Sequence, residues 1–163
     1  TSGSLAARAR PVSAAPPYFD VVLVGGGLSA GLIALALARH RPEVSVAIVE
    51  SGALFGGNHT WSSFASDLSA EGAALVAPII AHRWGEYEIR FPGLTRHIPS
   101  GYQSAFSHLL HAALEAALPA AARFLGTPVA VVKPDGVVLA DQRAIAAGAV
   151  LDARGQRHSP HLE

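Results

Sequence analysis

Gly25, Gly27 and Ala30 stand in a Gly-x-Gly-x-x-Ala arrangement within "VVLVGGGLSAGLIALALA" (residues 21–38), and an acid, Glu50, follows 23 residues after Gly27. The chemistry this spacing serves is dinucleotide binding. A glycine at 25 lets the chain turn sharply out of a strand, and one at 27 removes a side chain so that a pyrophosphate reaches the backbone. Ala30, or Gly31 beside it, lets the next helix pack closely on the strand, while the helix N-terminus offers free N–H groups and a positive dipole end to phosphate. A carboxylate about 20 residues further on binds ribose hydroxyls, the role open to Glu50. An acid there disfavours a ribose 2′-phosphate, so FAD or NAD is expected in preference to NADP. The stretch "ESGALFGGNHTWS" (50–62) adds Gly56 and Gly57 in a long loop, where a plain NAD unit would be entering its next helix; this points to flavin.

Such a glycine turn carries this meaning only between a strand and a helix. Both are expected. "FDVVLVG" is a near-continuous β-branched run, typical of a strand buried on both faces of a parallel sheet. "LSAGLIALALARH" reads as a helix with basic residues at its end and Pro42 beyond it, and "VSVAIVE" (44–50) reads as a second buried strand. Strand, helix and strand within about thirty residues make a βαβ unit. Further along, "SAEGAALVAPIIAHRW" (69–84) reads as a helix with Ser69 as N-cap and a break at Pro78. "YEIRF" (87–91) and "RHIPSGYQSA" (96–105) read as extended segments around a Pro92-Gly93 turn, and "SAFSHLLHAALEAAL" (104–118) as a helix ended by Pro119. In "VAVVKPDGVVLA", Asp135-Gly136 marks a hairpin turn. "AGAVLDARG" (147–155) suggests a strand returning to the nucleotide sheet, where Asp152 and Gly155 either meet the cofactor's diphosphate or ribityl side, or form a surface strand end with Asp152 paired to Arg154.

Composition narrows the function classes. Half of the 163 residues are hydrophobic and 15% are charged, enough for one sizeable core. Twelve basic and twelve acidic side chains cancel, which gives no electrostatic reason for a nucleic-acid partner. No cysteine is present, so thiolate metal sites, disulfides and a cysteine nucleophile are excluded from this chain. Eight histidines do not amount to a metal site: His108 and His111 lie three apart on a helix without a third ligand nearby, and His158 and His161 lie on the tail. Asn58-His59-Thr60 matches a glycosylation acceptor formally, but nothing points to secretion. Residues 1–17, with three prolines, two arginines and no acid, are expected to be a disordered leader, in composition also similar to a transit peptide. The chain opens on Thr1 and stops just after a strand, so residues 18–163 are expected to form an incomplete domain.

These residues resemble the flavin-dependent lycopene cyclases of carotenoid biosynthesis, in particular the bacterial lycopene β-cyclases. The resemblance rests on "DVVLVGGGLSAGLIALAL", "GGNHTWS", "AHRWGEYEIRFPGLTRHIPSGYQS" and "AVLDARG", in that order, and covers roughly residues 20–161. It implies an α/β fold: a Rossmann-like FAD/NAD(P)-binding domain with a parallel sheet and an inserted β-rich segment, cut short before the substrate and catalytic half. The implied activity is an isomerisation in which an acid protonates the linear ψ-end of lycopene, the end closes through a carbocation, and proton loss leaves a β-ionone ring, giving γ- and then β-carotene. Reduced FAD is required without net electron transfer, with NAD(P)H as electron source. By match, Gly25, Gly27 and Ala30 would cradle the diphosphate with Gly31 supporting the packing, and Glu50 would hold the ribose. Gly57 and Asn58 would lie near the diphosphate or flavin, Val129 near adenine, and Asp152 to Gly155 on the cofactor's far side. No residue is assigned as the catalytic acid and no metal is expected. The implied partner is lycopene or a related linear carotenoid; no protein partner is evident. The implied location is the cytoplasm, with peripheral contact to the inner membrane left open. The alternatives are an FAD-dependent oxidoreductase or hydroxylase on the same scaffold, and a non-catalytic, truncated nucleotide-binding fragment.

Overall fold

The run YFDVVLV forms the central strand β1 (Tyr18–Val24) because both of its faces find apolar partners: Val22, Leu23 and Val24 are each at most 1% exposed. The computed structural model describes residues 15–155. The leader expected over residues 1–17 therefore lies largely outside the described residues, as do His158 and His161. From β1 the chain turns through three glycines into helix α1 (Leu28–His40) and returns as β2 (Val46–Val49), parallel to β1 with Val21 opposite Val46 and Val24 opposite Val49. This is the expected βαβ unit.

A long excursion follows: β3 (Thr60–Phe64), α2 (Ala70–Val76), β4 (Ile80–Trp84), β5 (Tyr87–Phe91), β6 (Leu94–Ile98), β7 (Tyr102–Phe106) and α3 (Ser107–Ala117). Strands β3, β7 and β4 form an antiparallel sheet with β7 in the middle, and β5 and β6 form a separate hairpin. The chain then re-enters the main sheet through β8 (Arg123–Phe124), β9 (Val129–Lys133), β10 (Gly136–Leu139) and β11 (Ala144–Asp152). The six-stranded order is β8-β2-β1-β11-β10-β9; β8, β2, β1 and β11 run parallel, and the last two strands are antiparallel. The α/β, Rossmann-like architecture with an inserted β-rich segment is thus the fold of this chain.

Strand periodicity divides the core in two. Leu23, Val46 and Ile48 join Ala30 and Ala34 of α1, Leu110 and Leu114 of α3, and Phe55 and Ile79 in one cluster. Val22, Val24, Ala47 and Val49 point the other way, into a cluster with Val137, Leu139, Ile145 and Ala147.

Four local expectations are corrected. Residues 80–84 are a strand: the helix ends at Val76, a short 3₁₀ turn holding Pro78 follows, and pairing of Ile80 to Trp84 with β7 decides the rest. Ser69 does cap α2, accepting the Gly72 N–H at 3.1 Å. Residues 104–106 belong to β7 and not to the next helix, because Ser104 and Ala105 pair with both β3 and β4. Thr60 to Ser62, inside the stretch read as loop, open β3 for the same reason. The β9–β10 turn is Pro134-Asp135, one residue earlier than expected: Gly136 already pairs with Lys133, at φ +155° and so close to the Ile145 carbonyl that a Cβ would not fit.

Candidate functional site

A cleft of about 330 Å³ opens at the carboxyl ends of β1, β2 and β11, the place where ligands bind in open parallel sheets. It lies where the sheet order reverses, with β2 on one side of β1 and β11 on the other. The Gly25–Gly27 turn forms one wall. Gly25 adopts φ +93°, a region that other residues enter with strain, and donates its N–H to the Val49 carbonyl at 2.8 Å. Gly27 is the N-cap of α1 in extended conformation, and no side chain caps this helix end. A Cβ built on Gly27 would meet no atom within 4 Å. The fold therefore does not need glycine at 27; the open space lies where a diphosphate would approach the uncapped N–H groups of the helix.

Glu50 follows β2 directly, and its carboxylate is already held by the loop. Oε2 accepts the Gly26 N–H at 2.6 Å, and Oε1 accepts the Gly52 N–H at 2.6 Å and the Ser51 hydroxyl at 3.1 Å. A carboxylate offers about four acceptor positions, so three donors fix its direction and leave room for a ribose hydroxyl. The opposite wall comes from sequence-distant segments. Thr127 N–H donates to the Glu50 carbonyl and Ala153 N–H to the Val24 carbonyl, each at 2.8 Å, which brings Thr127, Val129, Ala153, Arg154 and Gly155 to the cleft. Gly56, Gly57 and His59 complete the lining.

Gly25, Gly27, Glu50, Gly57, Val129 and Gly155 thus share one cleft. Ala30 lies behind it, fully buried in α1. Gly31 is buried too, but against a helix and not the strand: a Cβ there would come within 2.8 Å of Leu110 in α3. Asn58 is exposed and does not line the cleft, and neither does Asp152. Arg154 grips Asp152 through a fork, Nε to Oδ1 at 2.8 Å and Nη2 to Oδ2 at 2.6 Å, so the pairing weighed from the sequence is present. These bonds hold the Arg154 guanidinium above its ordinary pKa, and its third nitrogen reaches the Val129 carbonyl at 3.5 Å. Gly26, Ser51 and Thr127 escaped the sequence reading: Gly26 was hidden inside the motif's variable position, Ser51 acts through a hydroxyl bond to Glu50 that no motif position marks, and Thr127 acts through backbone placement that no side-chain pattern reports.

Outside the cleft, Phe64, Tyr87, Trp84 and Tyr102 form a ring cluster with centroids 5.4–6.4 Å apart. Phe64, Trp84 and Phe91 are exposed, and none of the three belongs to either core cluster. Among the described residues no helix is long and apolar enough to cross a membrane.

The family model for the lycopene cyclase protein matches residues 20–163. The chain belongs to the lycopene cyclase family. It is 43% identical over 144 residues to a lycopene β-cyclase of Pseudescherichia vulneris, covering 88% of this chain and 37% of that protein. To a lycopene β-cyclase of Pantoea ananas it is 36% identical over 143 residues, covering 85% and 36%. The chain thus spans little more than a third of these family members. Among solved structures, 2,6-dihydroxypyridine-3-hydroxylase from Arthrobacter nicotinovorans superposes with a TM-score of 0.56 at 14% identity, covering 83% of this chain and 36% of that one. That likeness speaks for the fold alone.

Proposed function

We propose that this chain is the FAD-binding portion of a lycopene β-cyclase. One observation carries the reading: in a chain of this family, the open space at Gly27 faces an uncapped helix end in the same cleft as the oriented carboxylate of Glu50. Gly25 and Gly27 hold the diphosphate against the first N–H groups of α1, with Ala30 and Gly31 keeping that helix in place. Glu50 takes the ribose, Val129 lies beside adenine, and Gly57 and Gly155 flank the flavin side. Asp152 acts through Arg154, whose fork it fixes, and Asn58 stands at the rim beside Gly57.

When bound in reduced form, with NAD(P)H as electron source, FAD supplies negative charge that stabilises the carbocation formed as the ψ-end of lycopene closes to a β-ionone ring, with no net redox change. A linear carotenoid resides in lipid, which favours a cytoplasmic protein in peripheral contact with the inner membrane.

Gly27→Ala is the direct test, because the added methyl meets no protein atom. FAD affinity, read by fluorescence quenching, should fall at least about tenfold while the unfolding temperature changes little, since Gly and Ala differ by only about a kcal/mol at such a cap. Unchanged FAD affinity in Gly27→Ala, or no binding by the folded wild-type chain, would remove the diphosphate from this cleft.

A further inference from the structure

Helix α3 stands outside the cleft, yet it grips the loop that lines it at two points one turn apart. At its first residue, Ser107 N–H donates to the His59 carbonyl at 3.1 Å and Ser107 Oγ accepts the His59 N–H at 3.4 Å. Four residues later, on the same helix face, His111 Nδ1 accepts the Phe55 N–H at 3.2 Å. Between these points lie Gly56 and Gly57. The bond from Phe55 needs the Nδ1 lone pair, which leaves the ring proton on Nε2, 3.7 Å from Oε2 of Glu115. Arg123 of β8 in turn holds Oε1 of Glu115 at 2.8 Å.

The grip passes on to the phosphate-facing turn. Phe55 is fully buried, its ring centroid 5.6 Å from that of His111, and its Cδ1 lies 2.6 Å from where a Cβ of Gly26 would stand. Gly56 N–H donates to the Gly26 carbonyl at 2.8 Å. Gly26 therefore rests on Phe55 below and on Gly56 beside it, and both are placed from α3.

We infer that His111 is a positioning residue for the nucleotide cleft: its Nδ1 lone pair fixes Phe55, and through Phe55 the Gly25–Gly27 turn. Its effect on affinity rests on the FAD-binding reading; its effect on the loop does not. A buried N–H has no substitute for a lost acceptor, so the loop must open to water when Nδ1 is removed.

Three variants separate this from simple packing. His111→Leu keeps apolar bulk without an acceptor, His111→Asn puts an amide oxygen where Nδ1 stands, and His111→Gln carries its amide one carbon too far. Backbone hydrogen exchange over residues 53–58 of the FAD-free chain is measured first, followed by FAD affinity. Exchange at Phe55 and Gly56 should quicken at least about tenfold in His111→Leu and His111→Gln and stay near wild type in His111→Asn. FAD affinity should fall about tenfold in the first two and by less than about threefold in His111→Asn. A packing role predicts the opposite order, with leucine better than asparagine. Equal exchange in His111→Asn and His111→Gln overturns the inference even where His111→Leu fails to fold. If the wild-type chain binds no FAD, the exchange result still decides the role of His111, and the flavin reading alone falls.

Discussion

At the scale of single residues, the cleft separates glycines that the fold requires from one that it does not. Gly25 needs its positive φ and lies against the Arg154 backbone, and Gly26 has no room for a Cβ beside Phe55. Gly27 alone of the three faces open space. A motif reading treats Gly25 and Gly27 as one device and passes over Gly26, because φ and close approach to Phe55 are invisible in a run of three identical letters. Glu50 was legible from its spacing; that its carboxylate is held by Gly26, Ser51 and Gly52 was not. In Glu50→Gln an NH₂ group replaces one carboxylate oxygen and must face a backbone N–H. Leaving such a donor unpaired costs about 1–3 kcal/mol, so a fall in FAD affinity of about tenfold or more is expected by titration. Wild-type affinity in Glu50→Gln would mean that the loop, and not the carboxylate, recognises the nucleotide.

At the scale of elements, the entry ends of β1 and β2 are tied by a local exchange. Asp20 Oδ2 accepts the Ser45 N–H at 2.8 Å and the Ser45 hydroxyl at 2.6 Å, and the Asp20 N–H donates to Ser45 Oγ at 2.9 Å. The Ser45 hydroxyl and amide hold the Asp20 carboxyl below its ordinary value. A depressed folded-state pKa gives a contribution that is present above the unfolded value of about 3.9 and is lost as pH falls through the folded value. The unfolding temperature of wild type should therefore drop more steeply below about pH 4 than that of Asp20→Asn, by thermal melts across that window. Parallel curves would show that the Ser45 bonds do not favour the charged form. The helix α1 illustrates a different limit. Its Ala30 was readable as the small last position of the Gly-x-Gly-x-x-Ala arrangement, but Gly31 proves to make room for Leu110, a neighbour 79 residues away in sequence. The same holds for Ile80–Trp84: an Ala-rich run with one proline does not distinguish a continued helix from a strand until β7 supplies its partner.

At the scale of the whole molecule, a ligand in the cleft would touch β1, β2, the loop that α3 holds, and the segment that follows β11 together, so binding should stabilise the fold as a unit. At FAD a hundredfold above its Kd the gain is about 2.7 kcal/mol, which for a domain of this size raises the unfolding temperature by roughly 5–10 °C. Riboflavin, which lacks the diphosphate and adenosine, should give much less in the same thermal-shift measurement; an equal shift would place recognition on the ring alone. The sequence by itself determined the βαβ unit, the glycine turn, the place of Glu50 at the end of β2 and a returning strand within 147–155, whose bounds the structure moves to Ala144–Asp152, because hydrophobic periodicity, backbone freedom and short-range spacing act within tens of residues. Only the tertiary structure decided that Thr127, Arg154 and His59 close the cleft, that Asn58 and Asp152 stand outside it, and that His111 supports it from behind. Those facts depend on strand pairings and helix contacts between segments far apart in the chain, and no local pattern encodes which distant backbone will supply the partner.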